Sequence, residues 1–158
     1  MKTKMILIMA TVLISASINA QVKPADETSI KQILQTMQDG WNNKDGNLYA
    51  SRFTDDCDFV VINGMFLKTR KVVAEGHQGI FNSIYKETNL ELNLRDARYL
   101  TNDIIIAHAD GRRFGNIFGK YEDDHAIMTI TLQKINDNWS IAAFQNTEIQ
   151  QQGQAPSK

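Results

Sequence analysis

Apolar and polar positions along the chain switch period several times, and each switch marks an element. "DETSIKQILQTMQDGWNN" places Ile30, Ile33, Leu34, Met37 and Trp41 at i, i+3, i+4 and i+7 spacing, one apolar stripe of an amphipathic helix. Asp26 or Ser29 is expected to cap it, with Pro24 just outside and Gly40 a weak point near its end. A short second helix is expected after Asp45, turning Leu48, Tyr49 and Phe53 inward. "CDFVVINGMFLK" then reads as a hairpin on a type I′ turn at Asn63-Gly64. A third helix starts near Thr69, with Val72, Val73, His77, Ile80, Phe81, Ile84 and Tyr85 on one face. From Leu90 the period becomes two, through "DIIIAHADGRRF", "HAIMTITLQKI" and "NWSIAAFQNT". Helices followed by long antiparallel strands predict an α+β domain over residues 24–149, helices against one face of the sheet.

The two ends read differently. Lys2 and Lys4, the apolar run "MILIMATVLI" and the small residues "SASINA" form a secretory signal peptide over residues 1–20, with export to the periplasm or medium after cleavage near Ala20. The run is too short for a membrane anchor. Residues 150–158, "QQQGQAPSK", lack periodicity and are expected to be disordered.

The composition, 42% hydrophobic and 22% charged, is that of an ordinary globular chain and supports a real core. Loss of Lys2 and Lys4 with the leader makes the net charge of −1 more negative by two. That argues against nucleic acid or an anionic membrane as partner. Cys57 stands alone, so no disulfide forms within the chain, and it reads as a small buried hydrophobe.

Several chemistries are missing. The glycines of "GRRFGNIFGK" precede no helix and form neither a dinucleotide fingerprint nor a phosphate loop. His77, His108 and His125 sit on three different elements without ligand spacing, so neither a metal nor another cofactor is expected. Arg112, Arg113, Asp123 and Asp124 read as surface charges at strand ends and turns. The residues that stand out are polar ones on apolar faces. His77 shares a face with Val73, Ile80 and Phe81, and His108 alternates with Ile104 and Ile106. Asp58 alternates with Val60 and Ile62, and Asn146 with Ala142 and Phe144. Burying such groups unpartnered costs about 1–3 kcal/mol each, so together they favour a cavity.

Three segments carry a family resemblance: "GWNNKDGNLYASRFTDDCDFVVINGMFLKTRKVVAEGHQGIF" (40–81), "DIIIAHA" (103–109) and "NWSIAAFQNT" (138–147). Within them Trp41, Asp45, Asp56, Asp58, Phe59, His77, Phe81, Trp139, Asn146 and Thr147 are the more specific positions. The chain resembles the nuclear-transport-factor-2-like superfamily, which includes ketosteroid isomerase, scytalone dehydratase and the SnoaL-like cyclases, and is most similar to its SgcJ/EcaC group. The resemblance implies a cone-shaped, curved antiparallel sheet wrapped around helices. Ketosteroid isomerase uses an Asp base and an oxyanion hole of Tyr and protonated Asp. Here the base position falls near Val61 and the second acid near Met128, so that machinery is absent.

Two functional readings follow. The first is a secreted protein binding a small apolar ligand through Trp41, Phe59, Phe81, Phe144 and Asn146. Its catalytic version is a cofactor-independent isomerase, cyclase or dehydratase, with His77, His108 and Asp58 as candidate acid–base residues. The second is a non-catalytic association module. A homodimer is expected in either case, because Thr129, Ile130, Thr131 and Leu132 leave both faces of one strand partly apolar.

Overall fold

The structure is a computed structural model, and it describes residues 21–150; the expected leader (1–20) and all but the first residue of the expected tail lie outside the described residues. Helix α1 (Pro24–Asn42) is followed by the short α2 (Gly46–Ala50), strands β1 (Phe53–Val60) and β2 (Phe66–Lys68), and helix α3 (Arg70–Phe81). Four long strands complete the chain: β3 (Glu87–Thr101), β4 (Ile104–Ile117), β5 (Lys120–Ile135) and β6 (Asn138–Glu148). The six form one sheet in the order β2-β1-β6-β5-β4-β3. The sheet is antiparallel except where β1 lies parallel to β6, with Phe59 beside Phe144. Register shifts interrupt β3 near Arg95 and Leu100 and β6 at Ala142. Each such bulge bends its strand, and the bends curl the sheet around the helices.

Helix α1 starts differently from its sequence reading. Lys23 is the N-cap without a side-chain bond, and Pro24 occupies the first turn rather than a place outside it. Its fixed φ and missing N–H suit that position. Asp26 is therefore free to reach across to the sheet. The apolar stripe from Ile30 to Trp41 is buried as the spacing predicts. Its polar flank has a second task, because β3 is an edge strand. Asn42 Nδ2 donates to the Leu90 carbonyl (3.1 Å), Leu90 N donates to Asn42 Oδ1 (2.8 Å), and Leu92 N donates to Gln38 Oε1 (2.9 Å). The helix side chains stand in for a missing neighbouring strand.

Gly40 is a contact point. A Cβ there would lie 2.3 Å from the Tyr49 backbone nitrogen, so glycine lets α2 pack on α1. Asp45 caps α2 by accepting from Leu48 N at 2.9 Å. The β1–β2 connection is not the expected two-residue type I′ turn. Val61 N donates to Met65 O and Gly64 N to Val61 O, both at 2.8 Å, closing a three-residue loop with only Gly64 at positive φ, +84°. A type I turn followed by a left-handed glycine needs no positive φ at Asn63. Helix α3 ends at Phe81, so Ile84 and Tyr85 fall outside it, and Val72 faces solvent. Among the described residues no helix is long and apolar enough to cross a membrane.

Candidate functional site

The concave side of the sheet and the three helices enclose a cavity of about 360 Å³. Each wall follows from alternation. Cys57 and Phe59 of β1, Ile105, Ala107, Ala109 and Gly111 of β4, Met128 and Ile130 of β5, and Ile141 and Phe144 of β6 point inward and are buried. Towards the open end the same phases bring in Arg113, Asp124, Asn146 and Glu148. Gly111 leaves room for Met128, whose Cε would lie 2.2 Å from a Cβ at that position.

The deep end is aromatic. Tyr49 stacks on His77 with centroids 3.9 Å apart, and Phe59 stacks on Phe144 at 4.8 Å. Trp41 meets the edges of His77 (6.3 Å) and Phe81 (5.1 Å). Trp41 Nε1 donates to Thr88 Oγ1 at 3.2 Å, so its ring is left to present apolar surface. His77 is 6% exposed, and its Nδ1 lies 2.8 Å from the Val73 carbonyl. Burial lowers the imidazole's pKa to about 4, against the smaller raising effect of that hydrogen bond. Burial also pushes the Tyr49 phenol well above its ordinary value.

The candidate residues divide between the two faces of the sheet. Trp41, Phe59, His77, Phe144 and Asn146 line the cavity together. Phe81 lies behind Trp41 in the core rather than on the lining. Asn146 Oδ1 is buried without a hydrogen-bond partner. Gln145 faces out, and the bulge at Ala142 lets both Ile141 and Phe144 point inward.

His108 and Asp58 are corrections. The inward phase of β4 is Ile105–Ala107–Ala109, which puts His108 on the outer face, where its Nδ1 meets Asp96 Oδ1 at 2.8 Å. The inward phase of β1 is Cys57–Phe59, so Asp58 also faces out and pairs with Lys68 at 2.9 Å. Neither can share a proton or an ion with His77, which lies on the other side of the sheet. Among the described residues no group of three or more His, Cys, Asp or Glu is placed to hold a metal ion.

Sequence reasoning passed over one pair. Arg113 and Asp124 face each other across β4 and β5, pair as ions, and line the cavity, with the Arg113 guanidinium 4.6 Å from the Tyr85 ring centre. Their neighbours point the other way: Arg112 binds Asp123 through two hydrogen bonds of 2.9 and 2.8 Å on the outer face. The available signal was phase, since Arg113 is two residues beyond Gly111 and four beyond Ala109. Val61 and Met128, where an isomerase would carry its acids, also line the cavity and are apolar.

No family model and no curated protein matches the chain. Solved structures do. A cystatin-like domain of unknown function from Nostoc punctiforme is similar at 26% identity and TM-score 0.75, over 83% of this chain and 82% of that one. An NTF-2-like protein of unknown function from Shewanella oneidensis matches at 16% identity and TM-score 0.64, over 79% and 99%. A type 2 hexachlorocyclohexane dehydrochlorinase matches at 17% identity and TM-score 0.71, over 84% and 94%. Together with the curled sheet and its enclosed helices, these likenesses show the architecture: the chain has the α+β, cystatin-like cone fold of the nuclear-transport-factor-2-like proteins.

Proposed function

We propose that this protein is exported and binds a small, largely apolar, ring-bearing molecule inside the cone. The observation that carries the proposal is the cavity of about 360 Å³, aromatic at its closed end, with a few polar groups on its wall. That size and make-up belong to small-molecule sites. A fold shared with an enzyme named for a chlorinated ring compound supports an apolar ring as ligand. Binding is favoured over acid–base catalysis because the candidate acid–base residues do not converge: burial holds the His77 imidazole neutral on the cavity wall, whereas His108 and Asp58 are paired on the opposite face of the sheet. The proposal also places the chain nearest the SgcJ/EcaC group, on the three segments quoted above, and takes export from residues 1–20. It includes a homodimer formed through the outer sheet face, where half-covered Ile106, Ile127 and Val60 lie among ion pairs.

Native mass spectrometry of the exported protein tests the binding. Wild type should carry a small-molecule adduct, or enhance Nile red fluorescence. Gly111→Val, which drives Met128 into the cavity, should do neither while still melting cooperatively. Wild type with neither adduct nor dye enhancement would overturn the proposal.

A further inference from the structure

The deep end of the cavity has a fixed hydrogen-bond polarity. A carbonyl only accepts, so the contact of His77 Nδ1 with the Val73 carbonyl places the ring's proton on Nδ1. Burial keeps the ring neutral at ordinary pH. Nε2 is then a bare lone pair, held in position by the helix and by the stacked Tyr49 ring. Among the described residues, the hydrogen bond found for this ring is the one to Val73. The side chain is more than nine-tenths buried and lines the cavity. A cavity-lining acceptor with no protein donor is open to one supplied by a ligand. Asn146 Oδ1 and Arg113 Nη1 are buried on the same lining without a hydrogen-bond partner, and the Asn146 carboxamide can offer either end to a ligand.

The open end adds a charge criterion. Arg113 is already paired with Asp124, and Glu122 and Glu148 bring two further carboxylates to the lining. Glu122 is in turn bridged to Lys120 at 2.7 Å, outside the lining. An anion approaching this mouth meets a guanidinium already in an ion pair and the further carboxylate of Glu148, with Arg113 Nη1 as the one buried donor left without a hydrogen-bond partner among the described lining residues.

Resting on the binding function proposed above, we infer that the ligand is a neutral aromatic compound with a free hydroxyl, a phenol, whose O–H donates to His77 Nε2 while its ring lies among Trp41, Tyr49, Phe59 and Phe144. No proton is transferred; the step is recognition. A phenol ether lacks the donor and leaves Nε2 unpaired. A carboxylate brings acceptors where an acceptor already waits, and a negative charge past the mouth.

The test is calorimetric titration of the exported protein at neutral pH with naphthol, methoxynaphthalene and naphthoate. Naphthol should bind at least about tenfold more tightly than the ether, the worth of one buried hydrogen bond, with naphthoate weakest. His77→Phe should bring naphthol down to the level of the ether. Should that variant fail to fold, the three-ligand series on wild type decides alone. Ether or naphthoate binding as tightly as naphthol would overturn this inference and leave the apolar-ligand reading standing. Absence of binding by all three would overturn both.

Discussion

Asp26 gives the most direct test of how the cone is held shut. Its Oδ1 accepts from Trp139 Nε1 at 2.8 Å, its Oδ2 accepts from the Tyr99 hydroxyl, and Lys134 Nζ lies 4.0 Å away. One carboxylate thus ties the start of α1 to β3 and β6. Asp26→Ala removes both hydrogen bonds. Bonds to a charged acceptor contribute about 1.5–3 kcal/mol each. The lower end applies, because the carboxylate is 16% exposed and Tyr99 keeps its bond from Lys23 N at 3.2 Å. A loss of about 3 kcal/mol is therefore expected, seen as a lower urea midpoint with an unchanged m-value. The pH dependence has a definite sign. The Tyr99 hydrogen bond, helped by Trp139 and the lysine charges and opposed by burial, holds Asp26 below its ordinary value. Its contribution is complete above the unfolded pKa of about 4 and is lost as pH falls through the lower folded value. The gap between wild type and Asp26→Asn should stay constant from neutral pH to about 5 and narrow below about 4. An Asp26→Ala variant within about 0.5 kcal/mol of wild type, or a gap that widens in acid, would refute the reasoning.

Three further outcomes are expected. Asn146→Leu should keep the fold and reduce the small-molecule adduct seen by native mass spectrometry, whereas Gln145→Leu on the outer face should leave it unchanged; equal effects of the two would contradict the assigned strand phase. Gly40→Ala should lower the melting temperature by the equivalent of about 1–3 kcal/mol, because the new Cβ meets Tyr49 backbone, although helix propensity alone predicts a gain of about 1 kcal/mol; a raised melting temperature decides against the contact. Cys57 is buried, and burial, then the charges of Asp58 and Asp56, raise its thiol pKa, so a thiol reagent should label it in urea and not in the native protein.

The helices were legible because one apolar stripe and one cap suffice to place a helix. Ile30 to Trp41 and the Asp45 cap show this. The long strands were legible for the same reason at period two. Which face of a strand turns inward was harder to read. "DIIIAHA" is apolar in both phases, and the helices pack against the one carrying small alanines, so His108 went to the outside. Cys57 and Asp58 posed the same choice, and burial of Cys57 with Phe59 settled it. Charge misled in the opposite direction. Arg113 and Asp124 look solvated as single residues, and only their cross-strand register makes them a pair on the cavity wall. Asp26 was read as a local cap because its true partners, Tyr99 and Trp139, are distant in sequence.

The parallel pairing of β1 with β6 has a consequence for the order of assembly. Strands β3 to β6 form a meander in which each neighbour is the next to be synthesised, so they can zip together by short loops. Strand β1 has no such option on that side, since Phe53 registers with Ile141 and Phe59 with Phe144. The entropy of closing so long a loop must be met before the contact is made. Until Asn138–Glu148 has emerged, β1 presents an unpaired edge, with Phe59 lacking the ring it stacks on. A chain cut before its last strand thus loses the bond between its two halves as well as one edge of the cone, while a chain carried to Glu148 can close in a single late step.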